Sequence, residues 1–366
     1  MNILFLQEQP CIRALKYAQG LKKYSKELRL FFGFCGKTLS ELYGHGDELF
    51  CEWIKLNRLP EEAIPDIIKE LRIDIIHSHN APDDLTVASI HSMGNGFPII
   101  HDIHDLISIR NSPYDDGIDR IVSDHQHTCQ QEKAAIEQSR GIIAVSEEII
   151  SIIHQKYNLD LRKVLVFPNF VSQDMIPNSL RPKLSEKDGE THIIYEGHLD
   201  KDNGGGHYDL LDIFREIAEQ EIHIHIYGSW ESKIYRKLAS ENKFIHYHGR
   251  LSSNLLLEEI TQYDFGWAGF NILVNKIHVD TVLANKTFEY ICAGLPVISF
   301  PHHAQKKFIE THKVGIVIED LNMLRHSLMH PRIDSIRGSV LKQRHSFTVK
   351  NYIGSLYDFY RDCLTR

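Results

Sequence analysis

"ANKTFEYICAGLPVIS", residues 284–299, sets a lysine and a glutamate one helical turn apart, then a Gly-Leu-Pro break and a short apolar run. If 286–292 is helical, Lys286 and Glu289 project side by side. The break ends the helix, and "LPVISF" (295–300) reads as a buried strand. Lys286 falls in the first turn, where free backbone N–H groups and the helix dipole favour an anion. A lysine there suits phosphate oxygens, and a carboxylate one turn on suits two neighbouring ribose hydroxyls. The pair therefore reads as a nucleotide site. The competing reading is a solvated intrahelical salt bridge, worth ~0.2–0.5 kcal/mol.

Working outward, the same alternation of β-branched runs and amphipathic helical stretches extends along the chain. Toward the N-terminus lie Ile3–Leu6, "LRLFFGF" (28–34), "IDIIHSHN" (73–80), "FPIIHDIHD" (97–105), "RGIIAVSEEI" (140–149) and "KVLVFPNFV" (163–171). Beyond a break come "THIIYEGH" (191–198), "IHIHIYGSW" (222–230), "FIHYHGR" (244–250), "DFGWAGF" (264–270) and, past the opening stretch, "VGIVIED" (314–320). Strands that stay apolar for four or five residues and end in His, Ser, Asn or Asp point to parallel sheets buried on both faces. Ligands of such sheets gather beyond the carboxyl ends. The break itself, "SQDMIPNSLRPKLSEKDGE" (172–190), is polar and has no apolar period, which marks a linker. The expected organisation is two doubly wound α/β domains, 1–172 and 191–349, joined by 173–190, with an amphipathic terminal helix over 350–366.

Composition excludes several classes. The 366 residues suffice for two domains, and 42% hydrophobic with 25% charged residues is ordinary soluble usage. A net charge of −8 argues against nucleic acid as a partner. Six cysteines, at 11, 35, 51, 129, 292 and 363, show no CxxC pair, which fits reduced thiols and a cytoplasmic protein. "MNILFLQEQP" has no charged n-region and too short an apolar run for a signal peptide. No stretch approaches the ~18 apolar residues of a spanning helix.

Three further constellations stand out. "IIYEGHLDKDNGGGH" (193–207) runs a strand into Gly197 and a glycine-rich turn, which lets a backbone approach a phosphate or is simply a flexible loop. "PIIHDIHDL" gathers His101, Asp102, His104 and Asp105 at a strand end, where His104 is placed to polarise a substrate hydroxyl. Neither this cluster nor "DHQHTC" (124–129) has zinc-site spacing. "CIRALKYAQGLKKYSKELR" carries Arg13, Lys16, Lys22, Lys23, Lys26 and Arg29 against a single Glu27. That helix, 12–29, is either a contact with an anionic substrate or, peripherally, with anionic lipid on the inner face of a membrane, or else a solvated face. No GxGxxG follows the first strand, so a dehydrogenase is disfavoured.

In order along nearly the whole chain, these pieces resemble the glycosyltransferases of family 4. "DIIHSHN", "HDIHDL", "RGIIAVSEEI" with "VLVFPNFV", and "YEGHLDKDNGG" each have a counterpart there, and "NKTFEYICAGLPVIS" is the most specific match. The resemblance implies the GT-B fold, two Rossmann-like domains facing each other across a cleft. It implies a UDP- or GDP-linked nucleotide-sugar donor on the C-terminal domain and a glycan or lipid-linked acceptor on the N-terminal one. It further implies retention of configuration, no metal or other cofactor, a role in polysaccharide or glycoconjugate biosynthesis, and a terminal helix packed on the first domain. By that analogy Glu289 contacts the donor ribose, and Lys286 lies near the donor with Asn285 and Thr287 at the helix start. His104 lies near the transferred sugar. Gly197, His198, Lys201, Asn203 and Gly204 form the diphosphate loop, with Gly228 on the next strand.

The sequence also departs from the family. Its diphosphate-gripping Arg and Lys align with His198 and Asn203, and Thr281 replaces the earlier of two paired glutamates, beside Asp280. Lys201, Arg13 and Arg250 are the candidate compensating cations. A nucleotide-sugar epimerase or hydrolase on the same fold, or a non-catalytic relative acting as a binding partner, are the alternatives.

Overall fold

The structure is a computed structural model, and it describes residues 1–365 apart from 58, 81, 95, 111–124, 158 and 201–205. The described residues form two compact units: 1–109, 125–172 and 348–365 in unit 1, and Arg110 with Gln173–Phe347 in unit 2.

Unit 1 holds seven parallel strands: β1 (Asn2–Leu6), β2 (Arg29–Phe34), β3 (Glu52–Lys55), β4 (Ile75–His79), β5 (Ile99–Ile103), β6 (Gly141–Ala144) and β7 (Val164–Val166). Their order is β3-β2-β1-β4-β5-β6-β7. Unit 2 holds six: β8 (His192–Gly197), β9 (His223–Gly228), β10 (Ile245–Gly249), β11 (Phe265–Trp267), β12 (Val297–Ser299) and β13 (Gly315–Val317), in the order β10-β9-β8-β11-β12-β13. Each unit is thus a doubly wound α/β sheet. Its order reverses beside its first strand, between β1 and β4 in unit 1 and between β8 and β11 in unit 2, where such sheets bind ligands. β3 is absent from the sequence reading. It is a short edge strand with a Glu-Trp-Ile-Lys pattern and no fully buried residue, so it lacks the apolar run that announces the others.

The terminal helix, Val349–Thr365, packs within unit 1. At Gly20, in the helix Ile12–Tyr24, a Cβ would lie 2.5 Å from Val349 Cγ1, so only glycine lets the two helices approach this closely. Residues 173–190 are not a free linker. They belong to unit 2, where the Leu184 N–H donates to Gln262 O at 2.9 Å and Lys183 Nζ donates to Thr261 O at 2.8 Å. Backbone and lysine hydrogen bonds anchor this stretch without apolar periodicity, which is why composition reads as a linker.

Candidate functional site

In unit 2 the helix Asn285–Cys292 follows β11 and precedes β12. It is pinned by Tyr290, whose hydroxyl accepts from Glu196 N–H at 3.1 Å and donates to Trp267 O at 3.3 Å. The ring lies against Gly266, where a Cβ would meet it at 2.2 Å. Its N-cap residue, Ala284, has no side chain that can cap it, and the first turn carries the partial positive charge of a helix N-terminus.

Lys286 is 7% exposed, and its partners are aromatic. Its Nζ lies 4.2 Å from the centroid of the Tyr195 ring, 5.6 Å from that of Phe270 and 5.9 Å from that of Tyr208. Among the described residues its ammonium makes no hydrogen bond or ion pair. Burial lowers its pKa to about 8, against the opposing pull of Glu196 and Glu289. Ring faces stabilise a desolvated ammonium by about 2 kcal/mol. They do not replace the hydrogen bonds it gives up, so an anion brought to Nζ meets an underused donor. The solvated Lys286–Glu289 bridge is not what forms: Lys286 is buried, and Glu289, half-buried, acts on it only through its charge.

Gly197 ends β8 opposite Gly228, which ends β9. Gly197 has φ +126°, and a Cβ there would lie 3.3 Å from Lys286 Nζ, so a side chain at 197 would be strained and would crowd the ammonium. His198 packs against Trp230 (centroids 4.0 Å apart) and Tyr208 (4.7 Å). Burial, then the charges of Lys286 and Arg110, hold its pKa to about 3. It is neutral at physiological pH, so it offers a hydrogen bond where the family's pattern has a cation.

The remaining candidates divide. Asn285 is half-buried at the helix start, and Arg250 is exposed just past β10, an edge strand two places from β8. Thr287 is fully buried, and its hydroxyl accepts from Gln305 Nε2, so it locks the helix to its neighbour instead of facing a ligand. Thr281 donates to His278 O at 2.7 Å and Asp280 pairs with Lys276 at 2.8 Å, so neither stands in for the missing glutamate. Lys201, Asn203 and Gly204 lie outside the described residues.

In unit 1 the candidates meet beyond the carboxyl ends of β4 and β5. Asp102 is fully buried and takes two bonds from Arg13, Nε to Oδ2 at 2.9 Å and Nη2 to Oδ1 at 3.2 Å. Although burial works against it, the Arg13 charge and the His77 hydrogen bond hold the Asp102 pKa well below the usual carboxylate range. Arg13 also donates to Asn169 Oδ1 at 3.0 Å and Phe167 O at 2.7 Å. Arg13 is therefore not a spare phosphate clamp. Its role is to neutralise Asp102, and its 4% exposure follows from that.

His77 Nε2 lies 3.2 Å from Asp102 Oδ2, and His77 Nδ1 lies 2.6 Å from the hydroxyl of Tyr360 on the terminal helix. His104 Nε2 meets His79 Nδ1 at 2.9 Å, and the His104 N–H donates to Asn80 Oδ1 at 2.7 Å. Burial lowers the His104 pKa to about 4 despite Asp102, so its ring is neutral and half-exposed, the form that accepts a proton from a hydroxyl. His101 points to the opposite face of β5, 2.9 Å from Thr86 Oγ1 and 3.2 Å from Asp83 Oδ1, and is structural.

The expected basic helix 12–29 is shorter and less basic than its sequence: it ends at Tyr24, so Lys26 and Arg29 lie beyond it, Arg29 as the first residue of β2. Arg13 and Lys16 are buried, leaving Lys23, Lys26 and Arg29 exposed and Lys22 half-buried. Among the described residues no helix is long and apolar enough to cross a membrane.

The spacing within 284–299 marks Lys286 but not its aromatic surround. Tyr195 was legible as the residue sharing a strand face with Gly197, whereas Tyr208 and Phe270 come from separate loops that no local pattern connects.

A pair of doubly wound units with a buried lysine and an open helix start beside the first strand of the second is the arrangement of GT-B proteins. Residues 50–174 match the model of Glycosyltransferase Family 4, and residues 206–340 that of the Glucosyltransferase 3-like C-terminal domain. The chain is a GT-B protein of the glycosyltransferase family 4 type.

Solved structures share the fold at low identity. Sucrose-phosphate synthase from Thermosynechococcus elongatus has a TM-score of 0.73 at 11% identity, covering 100% of this chain and 99% of its own. HepE of Anabaena, in complex with UDP, has a TM-score of 0.68 at 14%, covering 99% and 100%. A putative UDP-N-acetylglucosamine 2-epimerase from Listeria monocytogenes has a TM-score of 0.58 at 11%, covering 97% and 94%. No curated protein matches the chain.

Proposed function

We propose that this chain transfers a sugar from a nucleotide-diphosphate donor, UDP- or GDP-linked, to a glycan or lipid-linked acceptor, with retention of configuration and without a metal, in glycoconjugate or polysaccharide biosynthesis. The observation that carries this reading is Lys286: a buried ammonium beside an uncapped helix start, flanked by ring faces and given no acceptor among the described residues. A donor diphosphate supplies that acceptor. As the bond from sugar C1 to the diphosphate oxygen breaks, its electron pair stays on the leaving group. Lys286 and the helix N–H groups stabilise the charge that develops there. Glu289 takes the ribose hydroxyls, and Gly197 and Gly228 leave room for the loop to approach the phosphates. His198, being neutral, hydrogen-bonds without adding charge. In unit 1, His104 serves the acceptor and the transferred sugar. The UDP bound to HepE, a protein of the same fold, supports a uridine donor.

A thermal-shift panel of UDP, GDP, ADP and CMP with their sugar conjugates, with and without magnesium, tests this. A ligand at about 100 times its Kd adds about 2.7 kcal/mol of stability. One nucleotide stabilising the protein without magnesium, and failing with Glu289→Ala, is the expected outcome, followed by turnover once an acceptor is supplied. No shift with any nucleotide contradicts it. A second reading, a nucleotide-sugar binder without turnover, draws on the neutral His198. It predicts the same shift but no donor consumption with any acceptor. An epimerase or hydrolase predicts consumption without one.

A further inference from the structure

We propose that Cys11, His79 and His104 in unit 1 form a binding site for a thiophilic divalent cation, with Zn2+ the best match to the donor set. One ligand atom from each of the three side chains lies within 4.8 Å of the other two. The sheet brings them together: Cys11 lies beyond β1, His79 is the last residue of β4 and His104 follows β5. These are consecutive neighbours in the order β1-β4-β5.

The chemistry of the set is specific. Two imidazole nitrogens and one thiolate make the three-ligand complement of an open zinc centre, which leaves a fourth position for water or a ligand. Zinc–nitrogen bonds of about 2.0–2.1 Å and a zinc–sulfur bond of about 2.3 Å need a modest inward closure from the present spacing. Cys11 and His104 are half-buried, so the ion has a way in, while His79 is 1% exposed and supplies a rigid floor.

His79 also keeps one nitrogen free for ligation. His79 Nε2 is buried and has no hydrogen-bond partner among the described residues, while Nδ1 meets His104 Nε2. A buried imidazole nitrogen left unpaired is unfavourable, and metal ligation is one way to satisfy it. Outer contacts are also in place: Asp102 Oδ2 lies 3.7 Å from His79 Nδ1, and Asn80 holds the His104 backbone. A carboxylate behind a ligating histidine orients the ring. The neighbouring set of His77, His79 and Asp102 also lies within 4.8 Å but is unsuited, because Arg13 already occupies both oxygens of Asp102.

Binding replaces the thiol proton with the metal, so one proton is released to solvent per ion bound and no oxidant is involved. The consequence rests on the proposed role of His104: an occupied site withdraws the His104 ring from the sugar chemistry, so the ion acts as an inhibitor.

The test needs no activity. Metal-free full-length protein is titrated with Co2+ and, in parallel, with Zn2+ against a chromophoric chelator. The expected result is one ion per chain with a thiolate-to-cobalt charge-transfer band. That band should be lost in Cys11→Ser, retained in Cys51→Ser, and at least tenfold harder to saturate in His104→Gln. Thermal unfolding of each variant confirms that it is folded. A charge-transfer band unaffected by Cys11→Ser, cobalt bound only through nitrogen, or no binding would each overturn the assignment. The nucleotide panel is independent of all three results, so the two proposals fail separately.

Discussion

The two units each gather histidines, and they use them in opposite ways. In unit 1, His77, His79 and His104 cluster at the carboxyl ends of β4 and β5 around the Arg13–Asp102 pair, where a doubly wound sheet meets its ligands. In unit 2, His192, His223, His225, His246 and His248 start from the other end of β8, β9 and β10. They share one face of that sheet, while the opposite face packs Ile193, Tyr195, Ile224 and Ile226 into the core.

The second array is ordered by hydrogen bonds. His192 Nε2 meets Asp188 at 3.1 Å, His225 Nε2 meets His192 Nδ1 at 2.9 Å, and His248 Nε2 meets His225 Nδ1 at 3.0 Å. Beside this chain, His223 Nε2 meets Glu190, and His246 Nε2 meets His223 Nδ1 at 2.8 Å. A carboxylate only accepts, so the terminal ring must donate to it through Nε2–H. Each ring behind it then donates through Nε2–H to the next Nδ1. Both chains are complete with neutral imidazoles. What separates the two clusters is their surroundings: the unit 1 rings gather around a buried ion pair, whereas the unit 2 rings satisfy one another and two carboxylates.

The largest effect expected is at the pair that organises the first cluster. Asp102→Ala leaves Arg13 buried without its counter-charge, and urea unfolding should show about 3–5 kcal/mol of lost stability. A loss below 1 kcal/mol would mean that Arg13 finds another partner. Next, His104→Gln should lower kcat by about 10²–10⁴-fold, the range of a lost general acid–base group, with nucleotide affinity unchanged. A change confined to KM would move His104 out of the chemistry. In the structural array, His225→Leu strands the Nδ1 of His192 and the Nε2–H of His248, for a loss of about 1–3 kcal/mol.

The array also sets a pH dependence. Burial holds His192, His225, His246 and His248 below their ordinary value, His246 at about 4. The unfolded chain then binds more protons than the folded one between about pH 6.5 and 4, and stability falls as pH drops through that window. Tm measured from pH 7 to 4 should decline less steeply in a His246→Phe variant. Lys286 has the opposite sensitivity for binding. With its pKa at about 8 it loses its charge above that pH, so nucleotide Kd should weaken about tenfold by pH 9.

Much of this was legible from residues alone. Twelve of the strands announced themselves as apolar runs, and Lys286 with Glu289 stood out by spacing. β3 did not, because an edge strand needs no buried run. The 173–190 stretch read as a linker because its anchors are hydrogen bonds to Gln262 and Thr261. Arg13 looked like a free cation because its partners, Asp102 and Asn169, lie 89 and 156 residues away. His198 looked like a replacement for an arginine, and only its burial against Trp230 and its nearness to Lys286 show that it carries no charge.

If Lys286 is a cation kept buried for an anionic ligand, it should cost stability when no ligand is bound. Burial that lowers its pKa destabilises the folded state at neutral pH, an effect partly offset by the three rings. Equilibrium unfolding of Lys286→Met beside the native chain, with and without saturating nucleotide, tests this directly. The account predicts a variant about 1–3 kcal/mol more stable without ligand that gains nothing from nucleotide. A variant that is less stable, or one that nucleotide still stabilises in full, would contradict it.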